Sequence, residues 1–506
     1  MQIRMTIRLG TQPVTLEDVV RVAREGARVD AASAVHERLA AARTVVDRLA
    51  ASSEAIYGLN SALGANTGRP LDPDDLSDYQ RRAVRARAVG IGPAYDRESV
   101  RAILFARVAG MAAGGSGVSP GVFDALVALL NRDVVPVVPS VGSIGVADLP
   151  QLSHLALPLL GEGEAEFAGE RLPGAEALRR AGLEPLALDA KDGLALISAN
   201  AATVGRAALI LHDLDRLLVA WLAAIALSFE GFRANVSPLD ERVLRARPAR
   251  GAAEVAARLL ALLAGSALLA PGAARRVQDP LSFRVVAQVH GAAHWLAAEA
   301  RAQIEIELNS AAESPLVVAA DGAMISNGNF HLPALAITLD ALAIAVAQTA
   351  SLAVERCIRF MSPALTDLPL QLTRHGPAHS GFATVQKTLT ALWADIRHAA
   401  HPGSLDFLPV SEGVEDHATL ALTVAEKLGR AVVNARYLAA IELMIAAQAV
   451  DLRGLDGRDL GVGSRTAYDR VRQTVPVLDG DRPLGPEIDR LEARLRAGDF
   501  NFAETA

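Results

Sequence analysis

Histidines, one cysteine, glycine pairs and a scatter of polar residues are the groups in this chain that could do chemistry. Most of them fail on spacing. His290 and His294 stand i, i+4, as two zinc ligands on one helix face would, but the H-E-x-x-H arrangement is absent and they read as core histidines. Gly90-Ile91-Gly92 and Gly161-Glu162-Gly163 lack the strand–loop–helix setting that aims backbone N–H groups at a phosphate. No G-x-S-x-G elbow presents a nucleophilic serine. Cys357 follows Arg356 within a helical stretch and reads as a packed thiol. What remains is Tyr57, Gln278-Asp279 with Arg284, Asn309, Asn329-Phe330-His331, Gln386 and Glu415-Asp416-His417. These are many polar groups for an apolar core. Several adjoin Gly or Pro breaks, where helices end and where sites on helical bundles assemble.

Helices must position these residues. Ala and Leu dominate, and aromatics are 4% of 506 residues, which favours close-packed helices over sheets. After a short strand in residues 1–10, Thr15 caps a helix that Gly26 closes, and further helices are expected at 30–51, 75–89 and 97–110. Gly114-Gly115-Ser116-Gly117 breaks the chain, and Ser119-Pro120 starts another helix. Residues 162–184 read as a surface hairpin. Long helices are expected at 201–229, 252–269, 276–307, 332–361 and 381–400, with another ending near 451. Several are apolar nearly all round, as in the middle of a bundle. The expected organisation is an N-terminal part (1–205), a central helical bundle (206–455) and a C-terminal cap (456–506), in a mainly α fold that forms homo-oligomers.

The remaining composition excludes several classes. The hydrophobic fraction is 51% and the net charge −7, with no basic block to suggest nucleic acid. No signal peptide is read at the N-terminus. The longest apolar run, 217–229, is too short to span a bilayer. A single cysteine fits a reducing compartment. The expectation is a cytoplasmic protein without nucleic-acid or membrane partners.

One stretch stands apart. Gly142-Ser143-Ile144-Gly145-Val146-Ala147-Asp148-Leu149 is a glycine-rich entry to an apolar helix, with Asp148 as its expected N-cap. Around it, Ile56-Tyr57-Gly58-Leu59-Asn60, Lys191-Asp192-Gly193-Leu194-Ala195-Leu196, Val277-Gln278-Asp279-Pro280-Leu281-Ser282-Phe283-Arg284, Gly328-Asn329-Phe330-His331, Glu355-Arg356, His401-Pro402 and Glu415-Asp416-His417 occur in an order that resembles the aromatic amino acid lyases. That family contains the histidine and phenylalanine ammonia-lyases and related aminomutases. The resemblance spans about residues 10–455. It implies an ammonia-lyase/fumarase-like, mainly α-helical fold and a homotetramer whose active sites combine loops from three subunits. It further implies that Tyr57 is the base removing the β-proton and that Arg284 forks the substrate carboxylate, a task suited to a guanidinium. Asn329 and Phe330 would line the amino-acid site, and Glu415 would face an imidazole.

The departures carry as much information as the matches. The family's loop reads G-S-x-G-A-S-G-D-L, and its Ala-Ser-Gly cyclises into a methylidene-imidazolone electrophile. Here Val146 and Ala147 alone precede Asp148, with no Ser between. In Gly142-Ser143-Ile144 the third residue is β-branched and stiff where the family uses Gly. Ala86-Arg87 replaces a Ser-His pair, Ser198 replaces an Asn (with Asn200 two places on), Leu281 replaces a Tyr, and Val414 replaces a Gln.

No electrophilic cofactor is therefore expected. An amine is a poor leaving group unless activated, whereas trimethylamine leaves a quaternary nitrogen unaided. The pattern resembles the ergothionase branch of the family, with an aromatic amino acid or its betaine, such as ergothioneine, as the small-molecule substrate. Asp148, Glu415 or Phe330 would face the cation. Arg87 would face a thione sulfur or second carboxylate, or serve in a salt bridge. Two other readings stay open: an ordinary ammonia-lyase or aminomutase with an atypical triad, and a non-catalytic paralogue.

Overall fold

The computed structural model describes residues 5–52, 56–61, 71 and 76–504. Residues 1–4 of the expected first strand, residues 62–64 after the Tyr57 turn and the expected helix start at 75 lie outside them.

Helices form where the caps and Ala/Leu runs call for them. Thr15 Oγ1 accepts from Asp18 N (3.3 Å) and Asp18 Oδ2 accepts from Thr15 N (3.0 Å), so a capping box opens the helix Leu16–Arg24. Asp96 Oδ1 accepts from Ser99 N (2.9 Å) at the start of Arg97–Ala113, which stops at Gly114. The hairpin expected at 162–184 pairs Glu164–Phe167 with Glu170–Pro173, followed by the helix Gly174–Ala181.

Three expected helices are shorter than their apolar patterns. The one expected at 276–307 runs Val286–Leu308. Pro280 carries no N–H, and a separate turn, Leu281–Arg284, intervenes. The one expected at 252–269 stops at Leu262, and Ser266 Oγ accepts from Leu268 N to start an isolated turn. The helix expected from 381 starts at Val385, because the Ser380 and Gly381 N–H groups are drawn to the Asp481 carboxylate (2.7 and 2.9 Å). The helix at 201–229 extends instead over Ala201–Phe232, so the apolar stretch is longer than expected. By length and composition the segments Asp192–Phe232 and Pro333–Phe360 could each cross a bilayer, but 94% of the first one's most apolar window is buried within the chain, as befits a core helix.

The chain divides into two compact units. The first comprises Met1–His212, Arg301–Ile337 and Pro402–Glu426, and the second Asp213–Ala300, Thr338–His401 and Lys427–Ala506. Among the described residues every strand lies in the first unit. Thr6–Leu9 pairs with Arg28–Ala31 in parallel, Ile91–Ala94 with Pro139–Val141 antiparallel, and Leu316–Val318 with Ala323–Ile325 antiparallel. The second unit is helical. At its centre Glu442 accepts from Arg356 Nε (2.6 Å) and Nη2 (3.0 Å), Trp221 Nε1 (3.0 Å) and Ser228 Oγ (2.9 Å). Arg356 Nη1 also donates to Ser282 O (3.0 Å), tying the turn Leu281–Arg284 to this core.

Candidate active site

The 142–148 loop is placed by its neighbours on both sides. The strand Pro139–Val141 leads in, and the helix Leu149–Ala156 leads out. Gly145 is packed so closely against residues 419–421 that a Cβ would meet Thr419 Oγ1 at 2.4 Å and Leu420 N at 2.9 Å. Its φ of +77° also suits glycine. Leu420 N donates to Ile144 O (2.9 Å) and Thr419 Oγ1 to Gly145 O (3.0 Å). Val146 bridges His331 through the backbone.

Asp148 departs from its expected role. Its side chain makes no cap bond to the helix it precedes. The carboxylate, fully buried, accepts instead from Thr203 N (2.7 Å), Thr203 Oγ1 (3.1 Å) and Ser143 Oγ (2.6 Å). It thus caps the distant helix Ala201–Phe232, and both of its oxygens are engaged by these donors. Burial pushes its pKa up, while the bonds from Ser143 and Thr203 pull the other way.

Tyr57 sits in a turn fixed by its own residues. Asn60 Oδ1 accepts from Ile56 N (2.7 Å), and Ser61 Oγ donates to Ile56 O (2.9 Å). The half-buried ring packs against Ala83 and Leu194. Leu194 belongs to the short helix Asp192–Ile197, which crosses Leu76–Arg87 at Gly193; a Cβ there would lie 2.4 Å from Gln80 O. Gln80 Oε1 accepts from Leu194 N (3.1 Å). The helix ends at Ser198, and Ala199 O accepts from Asp148 N (2.7 Å). Asn200, nearly buried, donates from Nδ2 to Phe330 O. One continuous path therefore joins Tyr57, the 191–200 stretch, the loop and Phe330.

Asn329 is held by its N–H donating to Asn327 Oδ1 (2.9 Å). Glu415 lies on a tight loop closed by a backbone bridge to Val410, with Ser411 and Glu412 at left-handed φ of 55° and 57°. His331 Nε2 and His417 Nδ1 are 2.7 Å apart, joining these two segments. Burial and the neighbouring His417 hold the His331 pKa below its ordinary value.

Two expected residues belong to the second unit. Leu281 opens the turn after Pro280 and is 56% exposed. Arg284 closes it, and among the described residues no carboxylate or carbonyl accepts from its guanidinium. Arg87 turns back on its own helix, donating to Ala83 O (3.1 Å), and among the described residues it has no salt bridge.

Sequence reasoning missed Thr203 and Thr419. The Asn200-x-x-Thr203 spacing was an available signal, since it marks a helix start. Nothing in the local sequence marks Thr419 as the partner of Gly145.

Comparison with known proteins identifies the family. Residues 14–473 match the family described as Aromatic amino acid lyase. A histidine ammonia-lyase of Symbiobacterium thermophilum is 38% identical over 494 residues, covering 97% of each chain. The crystal structure of ergothionase from Treponema denticola, in complex with desmethyl-ergothioneine sulfonic acid, is similar with a TM-score of 0.94 and 32% identity, covering 98% of this chain and 99% of that one. Histidine ammonia-lyase from Trypanosoma cruzi is similar at a TM-score of 0.90 and 30% identity, covering 99% and 95%. The chain belongs to the aromatic amino acid lyase family and is a carbon–nitrogen lyase.

Proposed function

We propose that this lyase expels trimethylamine from the betaine of an aromatic amino acid with an imidazole-type ring, such as ergothioneine, without an electrophilic prosthetic group. The observation that carries the reading is the chemistry of the loop. Between Gly145 and Asp148 there is no hydroxyl to become a methylidene carbon. Ser143 is engaged as donor to Asp148 and as acceptor from Gly145 N (2.9 Å), and β-branched Ile144 follows it. A methylidene-imidazolone does not fit these residues.

Without such a group a free amine leaves poorly, and a trimethylammonium needs no activation. Tyr57, as its phenolate, removes the β-proton. The C–H electron pair becomes the Cα=Cβ bond, and the Cα–N pair departs with neutral trimethylamine. Arg284 holds the carboxylate, a role supported by a guanidinium with no acceptor among the described residues. Asn329 and Phe330 line the site with Ser198 and Asn200, and Glu415 faces the ring or the cation. The cation's partner is not Asp148. The enzyme works in the cytoplasm as a homotetramer with shared sites. Exposed apolar residues support the assembly: Val277 at 95%, Leu281, Ile337, Leu405, Leu408 and Val414.

A second reading, histidine ammonia-lyase, is favoured by the 38% identity to enzymes of that name. One experiment separates the two. Ergothioneine and histidine are each incubated with the chain, released trimethylamine and ammonia are assayed, and intact mass is measured. The proposal expects trimethylamine from ergothioneine, an unmodified mass, and a fall in kcat of about 100-fold or more in Tyr57→Phe. Ammonia from histidine together with a mass short by two waters would overturn it. Release of neither amine, unchanged by Tyr57→Phe, would leave a non-catalytic paralogue.

A further inference from the structure

The segments around the loop close on one another. Ile144 and Gly145 are tied to Leu420 and Thr419, Val146 to His331, Asp148 to Ala199 and Thr203, and Asn200 to Phe330. The links holding Asn329, Phe330 and His331 mostly involve a backbone N–H or C=O, which substitution leaves in place. Among the described residues, one link from this 329–331 segment to another is made by two side chains alone: His331 Nε2 to His417 Nδ1 at 2.7 Å.

We propose that His331 and His417 are positioning residues, and that their ring-to-ring hydrogen bond fastens the segment carrying Asn329 and Phe330 to the segment carrying Glu415. Through the Val146 bridge the same bond seats both segments against the loop. The inference rests on the reading of this site given above. A neutral imidazole has one N–H and one acceptor nitrogen, so one ring donates and the other accepts. Aromatic neighbours set the ring planes: Phe407 lies 5.1 Å from His417 and Phe330 lies 6.4 Å from His331, centroid to centroid. The residues so held need holding. Neither segment is α-helical, and Ser411 and Glu412 are in left-handed conformations just before Glu415.

The test uses the full chain with His417→Ala, His331→Ala, their double variant, and the conservative His417→Asn and His331→Gln, which keep a polar atom near the lost nitrogen. Hydrogen–deuterium exchange without ligand comes first. In His417→Ala, exchange should quicken in 327–333 as well as in 408–418 and stay unchanged in 221–228, and His417→Asn should restore it. With ergothioneine as substrate, each alanine variant should raise KM about tenfold or more with a smaller change in kcat, and the double variant should be no worse than the worse single one. Unchanged exchange in 327–333, or additive effects in the double variant, overturns the proposal. Exchange changes as expected in a chain that does not cleave ergothioneine uphold the latch and defeat the proposed substrate instead, so the two failures are distinguishable.

Discussion

Asp148 and Glu442 are both carboxylates with 0% exposure, and the chain keeps them dry by different means. Glu442 stands among regular helices, whose interior N–H groups are already spent on their own i−4 carbonyls. It depends on side-chain donors, and one of them, Arg356, is a cation gripping it with two nitrogens. Asp148 stands at a helix start, where unspent N–H groups and the positive end of the helix dipole are available. Its donors are Thr203 N–H and two hydroxyls, none of them charged. A helix core buries charge in pairs, whereas a loop between helix ends can bury it against backbone.

The comparison breaks most sharply under isosteric amides. Glu442→Gln leaves the buried Arg356 charge without an anion and should destabilise the fold by about 3–5 kcal/mol in chemical denaturation. Asp148→Asn leaves no cation stranded and still offers an oxygen to Thr203 N. It should cost under about 1 kcal/mol, against about 1–3 for Asp148→Ala, which orphans the helix start. Equal losses at the two amide variants would remove the distinction.

Acid sharpens it further. Burial holds the His290 pKa well below its ordinary 6.5 and brings His294 down to about 4. Below pH 6.5 the unfolded chain therefore binds protons that the folded one refuses, and stability falls as pH drops, by up to about 1.4 kcal/mol per pH unit for each histidine. For His294 this continues until about pH 4. Asp148 works in the opposite direction: its raised pKa makes the folded chain the better proton binder, so its contribution falls as pH rises above 3.8. Carboxyls raised by burial, such as Glu307 at about 7, titrate the other way, so the test is the difference: from pH 7 to 5 the denaturation midpoint of the parent chain should fall relative to that of His290→Phe.

A small stability effect tests the chemistry. Ser143→Ala removes two hydrogen bonds and should cost about 1 kcal/mol. Lyase activity should stay within about threefold if Ser143 only supports Asp148. A loss of several orders of magnitude would mean that Ser143 supplies an electrophile.

Much of the fold was legible in the sequence because helix starts are local. Thr15 with Asp18 is satisfied within one turn of chain, and Pro120 suits a first helical position because it has no N–H to leave unpaired. Where the apolar pattern misled, a local stop had been outvoted by hydrophobicity: Pro280 before the helix at Val286, and Gly265 after Leu262. Of the site, the residue types were legible and their partners were not. Asp148 was recognisable as a cap, but the N–H it serves is 55 residues away. His331 and His417 were noticed separately, and 86 residues separate them.

The sequence by itself determined which atoms are available: a phenol at Tyr57, a guanidinium at Arg284, and no hydroxyl between Gly145 and Asp148. Those follow from residue identity and survive any folding. Only the tertiary structure decided that Asp148 turns inward to Thr203, that Arg87 turns back on its own helix, and that two histidines meet beside the loop. A side chain's partner is chosen by chain closure over tens of residues, where many pairings satisfy the same local spacing and packing admits one.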